Sequence, residues 1–582
     1  MYNSRRYPRF VIFGICAVLG LYYLWKEPDL TEPIDEGAQP LRSLTFPPKI
    51  DDKPHWQKQS EQYPVASYTL LPTGLSQALP KIQYQFRSED VRTAALRRQR
   101  RDKVRNTFER SWKAYKQHAW LWDELEPASG RHRDNFCGWA VTLVDTLDTL
   151  WIMDMKQEFA QAVAAVATLD FTTATCDTIS LFETTIRVLG GLLGAYDISG
   201  ELYPELLAKA TEIGEVLYSA FDTPNRMPML HWDWQAYTDK QNQRAGSRVP
   251  VADLGSLTLE FTRLSQLTKQ PKFFDAVQRI SDQFDKAQEK TKLPGMWPTM
   301  VDARTPDFTS DNSFTTGAMA DSLYEYLPKQ YMLLGGQMQQ SRKMYESSIK
   351  PMKEHIFYRP MTKGNHDILL SGDVLVKRDG KPKLKPNSQH LGCFAGGMVG
   401  IGAKIFGRTD ELDVARRLTD GCIWAYQNTV SGLMPETFTT IPCKSKEACE
   451  WDESKWIKEV RKTHLYDVDA PSQQVLAEEA LAPGFTSVED KRYLLRPEAI
   501  ESVFIMYRIS GDRTLQDRAW DMWEAISNMT STKLANAPVL DVTRLPPSHV
   551  DSMESFWMAE TLKYFYLIFS EPDLVSLDDF VL

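Results

Sequence analysis

Seven times along this chain of 582 residues an apolar run at helical spacing opens, and most of these turn, often through glycine, into a second, amphipathic stretch. The openings are TLVDTLDTLWIM from Thr142, LFETTIRVLGGLLGAYDISG from Leu181, LGSLTLEFTRLSQL from Leu254, MADSLYEYLPKQYM from Met319, LGCFAGGMVGIGAKIFG from Leu391, LRPEAIESVFIMYRISGD from Leu495 and DSMESFWMAETLKYFYLIF from Asp551. They recur at a typical period of about 55–75 residues. A helix apolar on nearly all sides belongs in an interior, and an amphipathic one covers it. The pattern therefore predicts an all-α fold, a closed α/α toroid of seven helical hairpins. Roughly 490 residues would form one domain, overriding the several domains that length alone suggests.

Two stretches depart from the repeat. Residues 368–384 alternate apolar and polar side chains about Ser371-Gly372 and Asp379-Gly380, which predicts a small β-hairpin insertion. Residues 443–483 are charged and read as a loop. Near the start, Arg92 to Trp122 is strongly basic, yet Val104, Phe108, Trp112 and Tyr115 fall on one helical face, so the charges form the solvated side of an amphipathic helix. Exposure of Arg100-Arg101 to a basic-specific protease is the competing reading.

The N-terminal region has its own logic. Residues 10–25 (FVIFGICAVLGLYYLW) carry no charge and follow Arg5, Arg6 and Arg9. At ~24 Å they suit a thin bilayer, and bulky residues replace a cleavage site, which predicts a retained signal anchor. The arginines place residues 1–9 in the cytosol and the rest in a lumen. Residues 26–86, rich in proline, read as an extended stem, and residues 87–582 as the globular domain. Cys16 lies in the anchor and six further cysteines follow it, an even number suited to an oxidising compartment. Asn528-Met529-Thr530 is a glycosylation sequon. A net charge of −9 gives no support to nucleic-acid binding.

The chemistry-bearing residues are carboxylates set in apolar helices: Glu183, Glu260, Asp321, Glu498, Glu501, Glu554 and Glu560. Burying a carboxylate is costly, so recurrence on inner helices points to convergence on a polar funnel. Glu183 and Arg187 lie four apart, and Glu498 and Glu501 three apart, each pair on one helical face. Several acids in an aromatic-lined hollow suit glycoside hydrolysis, in which one carboxyl protonates the leaving oxygen and another activates water. The chain has no GxSxG elbow, Gly-rich phosphate loop, HExxH or EF-hand series. Asp145 and Asp148 read as helix-end residues.

At these positions the sequence resembles glycoside hydrolase family 47, the class I α-1,2-mannosidases. The resemblance lies in VDTLDTLWIM, SLFETTIRVLGGLL, FDTPNRMP, DLGSLTLEF, GAMADSLYEYLPKQ, HLGCF, GLMPETF, YLLRPEAIESVF and ESFWMAETLKYFYLIFS, from about Asp134 to Ser570. It implies an (α/α)7 barrel and Ca²⁺-dependent, inverting hydrolysis of terminal α-1,2-linked mannose from high-mannose N-glycans. It further implies Glu183 as general acid, Asp321 as an acid assisting protonation, Glu498 as base and Glu436 as a further catalytic acid. Arg187, Glu260, His390, Arg496, Pro497, Glu501, Phe556 and Glu560 would line the sugar pocket or order calcium-bound water. A Cys393–Cys422 disulfide is implied; the pairing of Cys137, Cys176, Cys443 and Cys449 stays open. Where endoplasmic-reticulum members carry Arg, two before Asp321, this chain has Met319, so single-branch trimming is not implied. Members continue past a segment like LDDFVL to a Thr that supplies the protein ligands to Ca²⁺. The sequence here runs to Leu582, and the expected calcium contact is through water on Glu501 and Glu560.

The resulting expectation is a monomeric, single-pass type II mannosidase of the endoplasmic reticulum or Golgi membrane. The alternative, from another class, is a catalytically weak, lectin-like mannose-binding factor of glycoprotein quality control.

Overall fold

The openings fold as helices because each offers more apolar surface than a solvated helix can carry. A computed structural model describes residues 2–3, 55–464 and 471–582. The anchor at residues 10–25, the first half of the stem and most of the expected tail lie outside them; Tyr2–Asn3 pairs with Phe580–Val581 of the globular domain, which departs from the expected placement of residues 1–9 across a membrane from it. Among the described residues no helix is long and apolar enough to cross a membrane.

In chain order the barrel helices are α1 (Val91–His118), α2 (141–152), α3 (Lys156–Val166), α4 (181–198), α5 (Pro204–Tyr218), α6 (251–268), α7 (Pro271–Ala287), α8 (Asp321–Leu333), α9 (Gln339–Pro351), α10 (Ala395–Ile405), α11 (Glu411–Gln427), α12 (Glu498–Ser510), α13 (Thr514–Thr530) and α14 (557–568). The even-numbered helices grow from the seven openings and form the inner ring, each packing on the next, with α14 returning to α2. The odd-numbered helices back them. Burial separates the two sets: α12 is buried at every residue from Ala499 to Ile509. The outer α7 buries one face, through Phe273, Val277, Ile280 and Phe284. Close approach between inner and outer helices uses small residues. A Cβ on Gly402 of α10 would lie 2.2 Å from the buried Tyr345 ring of α9.

The ring closes through its most distant parts. The first helix, α1, capped by Asp90, is the outer partner of the last inner helix, α14. Arg97 donates to the Phe569 carbonyl (3.0 Å) and pairs with Glu571 (2.9 Å). Val104, Phe108, Trp112 and Tyr115 are buried, as their spacing predicts. Arg100 and Arg101 sit in the middle of this helix, Arg100 paired with Asp517 and Arg101 with Asp102, which speaks against an exposed protease site.

Among the described residues three disulfides are present: Cys393–Cys422, Cys137–Cys176 and Cys443–Cys449. The insertion folds as a hairpin of Asp373–Val376 against Pro382–Lys385. Residues 443–483 differ from the loop reading. Their charges conceal an amphipathic helix, Glu453–Thr463, whose Trp456 and Val460 join Met361, Ile441 and Val475 in a satellite core. A second helix, Ser472–Glu479, completes it.

The second half of the expected stem is also part of the barrel. The Gln62 and Tyr63 amides donate to Asp222 (2.8 Å each), Thr69 to Asp275 (2.8 Å), Gln77 to the Gly335 carbonyl (2.8 Å) and Ile82 to Asp578 (2.6 Å). Proline-rich composition supplied extended backbone, whose free amides satisfy carboxylates and a carbonyl of the segments they cross. A chain beginning at residue 87 is expected to lose about 1–3 kcal/mol for each buried acceptor left unsatisfied. Its melting temperature, read by circular dichroism, should fall by several degrees relative to a chain beginning at residue 55.

Candidate active site

Helix N-termini set the carboxylates in place. Asp321 and Glu498 are the first residues of α8 and α12, and Glu183 lies in the first turn of α4, its amide capped by Ser180 (3.3 Å). The unpaired amides and dipole of a helix start favour an anion there. Two of the ring helices carry single π-helical turns at the site, Thr184–Leu189 around Arg187 and Trp557–Thr561 around Glu560. Such a turn re-aims side chains, and π turns recur at functional sites.

These residues surround a cavity of about 430 Å³ at the centre of the ring. Glu183, Arg187, Glu260, Asp321, Arg496, Pro497, Glu498, Glu501, Phe556 and Glu560 all line it. His390 and Glu436 do not; they stand one layer behind, on the ends of strands Asn387–Gln389 and Thr437–Thr440 of a small antiparallel sheet. His390, fully buried, spans Glu498 through Nδ1 (2.9 Å) and the Tyr426 hydroxyl through Nε2 (2.9 Å). Arg496 donates from Nε to Glu436 (2.7 Å). Both thus reach the cavity through a partner that lines it.

The two carboxyls across this wall are tuned in opposite directions. Desolvation in the cavity, reinforced by the nearby Glu325 and Glu498 charges, pushes Asp321 up to about 7. Glu498 feels the same desolvation, but the His390 hydrogen bond and charge, with Arg496, outweigh it and hold its carboxyl below the usual range. Near neutral pH one is a proton donor and the other an acceptor.

The floor is an anionic cluster. Burial raises Glu260 to about 7 and Glu560 to about 8, and burial with the Glu325 charge raises Glu501 well above its ordinary value. Lys329, paired with Glu325 and 3.7 Å from Glu501, and Lys563, paired with Asp148 (2.6 Å), are the cations beside it. Glu260 accepts from the Tyr326 hydroxyl on one oxygen (2.8 Å), and its other oxygen is buried without a partner. Among the described residues no three acidic, His or Cys side chains converge tightly enough to ligate a metal directly. Hard oxygen donors in excess of cations, with one unsatisfied, fit a hydrated Ca²⁺ held through water.

Several lining residues escaped the sequence reading. Asp145 and Asp148, read as helix-end residues, face the cavity, as do Asp253, Glu325, Lys329 and Lys563. Asp321, Glu325 and Lys329 are each four apart, so one helical stripe could have revealed them. Asp253 has no such signal; burial, with the Glu183 charge, raises it to about 6.

Glu260, Glu501 and Glu560 bind protons more tightly folded than unfolded, so stability should fall as pH rises from the unfolded value of 4.5 through their folded values. Thermal melts in chelator from pH 5.5 to 8.5 should show this decline, each group contributing at most about 1.4 kcal/mol per pH unit. A flat profile would contradict the buried anionic floor.

Comparison with known proteins agrees with this geometry. The family model for Glycosyl hydrolase family 47 matches residues 107–582. The endoplasmic reticulum mannosyl-oligosaccharide 1,2-alpha-mannosidase of Mus musculus is 32% identical over 498 residues, covering 83% of this chain and 67% of the relative. The Arabidopsis thaliana mannosyl-oligosaccharide 1,2-alpha-mannosidase MNS1 is 31% identical over 494 residues, covering 83% and 77%. Among solved structures, an alpha-1,2-mannosidase from Trichoderma reesei superposes with a TM-score of 0.70 at 30% identity, covering 81% of this chain and 94% of that one. An α/α toroid whose inner helices deliver acids to one cavity, matched over most of its length, places this chain in glycosyl hydrolase family 47.

Proposed function

We propose that this protein hydrolyses terminal α-1,2-linked mannose from high-mannose N-glycans with inversion of configuration. The observation that supports this best is the opposed tuning of Asp321 and Glu498 across one cavity, in a chain of this family. Glu183, oriented by Arg187 at 2.8 Å, faces the leaving oxygen and delivers the proton, with Asp321 as the neighbouring acid. Glu498, kept ionised by His390, takes a proton from the attacking water on the opposite face of the sugar. Glu436 fixes Arg496 beside that base. Phe556 and Pro497 supply apolar wall against the ring. Bound through water ordered by Glu260, Glu501 and Glu560, Ca²⁺ would hold the sugar hydroxyls and orient the ring. The protein would sit in the endoplasmic reticulum or Golgi with the barrel in the lumen, and the pairing of Tyr2–Asn3 with Phe580–Val581 sets those two residues on the barrel's side.

Released mannose and its anomeric form, followed by NMR on a high-mannose oligosaccharide, test the proposal. The first product should be the β-anomer. Glu498→Gln and Asp321→Asn should each lower kcat by about 10²–10⁴-fold while leaving glycan binding measurable. Chelation should remove turnover, and added Ca²⁺ should restore it. Hydrolysis by Glu498→Gln at the wild-type rate would eliminate Glu498 as the base. Retained glycan binding without turnover at any Ca²⁺ level would favour the lectin-like reading.

A further inference from the structure

Arg187 serves more anions than its charge can balance. It donates from Nε to Glu183 (2.8 Å), from one terminal nitrogen to Glu554 (3.0 Å) and from the other to the Ser555 hydroxyl (3.0 Å). The Ser555 hydroxyl donates in turn to Asp145 of α2. Phe136 and Phe556 flank the guanidinium, at 4.5 and 5.5 Å from the ring centroids. Held at all three nitrogens and beside two rings, the group cannot swing toward either carboxylate. The proposed reaction uses Glu183 and leaves Glu554 without a task.

A guanidinium that one carboxylate holds alone favours the ionised form of that carboxylate. A general acid must instead carry its proton when substrate arrives. The second carboxylate resolves this conflict, because it draws on the same positive charge and repels the first. We infer that Glu554 is a positioning residue that keeps Glu183 protonatable: by occupying half of Arg187, it lets the guanidinium orient Glu183 without locking it as an anion. The inference rests on reading Glu183 as the proton donor.

Other groups face Glu183 from the surrounding elements. Asp253 of α6 lies close enough for its charge and that of Glu183 to repel, with His231 acting on Asp253 in the opposite sense. Asp145 of α2 and Glu554 both act on Arg187. Arg496, ahead of α12, interacts with Glu554. Asp253 therefore works in the same direction as Glu554, whereas only Glu554 does so by competing for the guanidinium at hydrogen-bond distance.

The test is Glu554→Gln, an isosteric change that removes one negative charge. The alkaline limb of the kcat/KM profile should move to lower pH by on the order of 1 unit, while the acidic limb, set by Glu498, stays in place. Glu554→Asp retains the charge one methylene further away and should give a smaller shift of the same sign. It also carries the test if the Gln variant does not fold. A merely structural role would lower the rate equally at all pH values with both limbs unmoved, and that result overturns the inference.

A second readout needs no turnover. Carbodiimide labels protonated carboxyls, so the pH midpoint of labelling at Glu183, read by peptide mass spectrometry on the full chain, should fall in Glu554→Gln. An unchanged midpoint overturns the inference. A shifted midpoint in a protein that releases no mannose would leave the sharing of Arg187 between Glu183 and Glu554 standing and remove the hydrolytic reading that gives it a catalytic purpose.

Discussion

A ring of helices that are apolar on nearly every side leaves its acids a single place to go. Outward, each would face a covering helix whose own buried face is hydrocarbon; inward, all of them meet in one hollow. The central cavity follows from this constraint, and so does its electrostatic character. Acids crowded from six inner helices, α2, α4, α6, α8, α12 and α14, desolvate one another, and Arg187, Arg496, Lys329 and Lys563 answer only part of the charge. A carboxyl placed there acquires a role according to which cation or imidazole stands beside it. His390 behind Glu498 makes an acceptor, and the lack of such a partner at Asp321 leaves a donor.

Local helix geometry performs the final aiming. Asp321 and Glu498 inherit their direction from being the first residue of a helix, and Arg187 and Glu560 from π turns within helices. The layer behind the cavity, His390 and Glu436, is joined by a direct backbone hydrogen bond from the His390 amide to the Glu436 carbonyl (2.9 Å). The small sheet that carries them thus fixes both side chains relative to each other before either reaches the site.

The barrel was legible because its signal is repeated: seven apolar openings state the inner ring, and their acids state the funnel. What stayed hidden had physical reasons. The helix around Trp456 was masked by seven charged residues from Asp452 to Lys462, which cover its solvated face. Residues 55–86 have no apolar period, since their contribution is backbone amides, and an amide looks the same in every residue type. Asp253 enters the site from the start of a helix whose pattern reports only packing. Asp145 and Asp148 were visible but assigned to helix ends, because nothing in their spacing foretells Ser555 and Lys563 more than 400 positions later.

The closure of the ring by its first and last helices carries a consequence for how the chain comes to exist. Arg97 and the Phe569 carbonyl it holds are 472 residues apart. At a synthesis rate of about 5–20 residues per second, α1 waits on the order of half a minute or more for the surface that will cover Val104, Phe108 and Trp112. Until then its basic face is solvated and its apolar face is open to whatever assists nascent chains. The intermediate hairpins can dock in order as they emerge, but the cavity has no complete wall until α14 arrives. The site is therefore the last part of the molecule to be assembled, and a chain halted short of that helix would present inner-ring surface in place of a binding pocket.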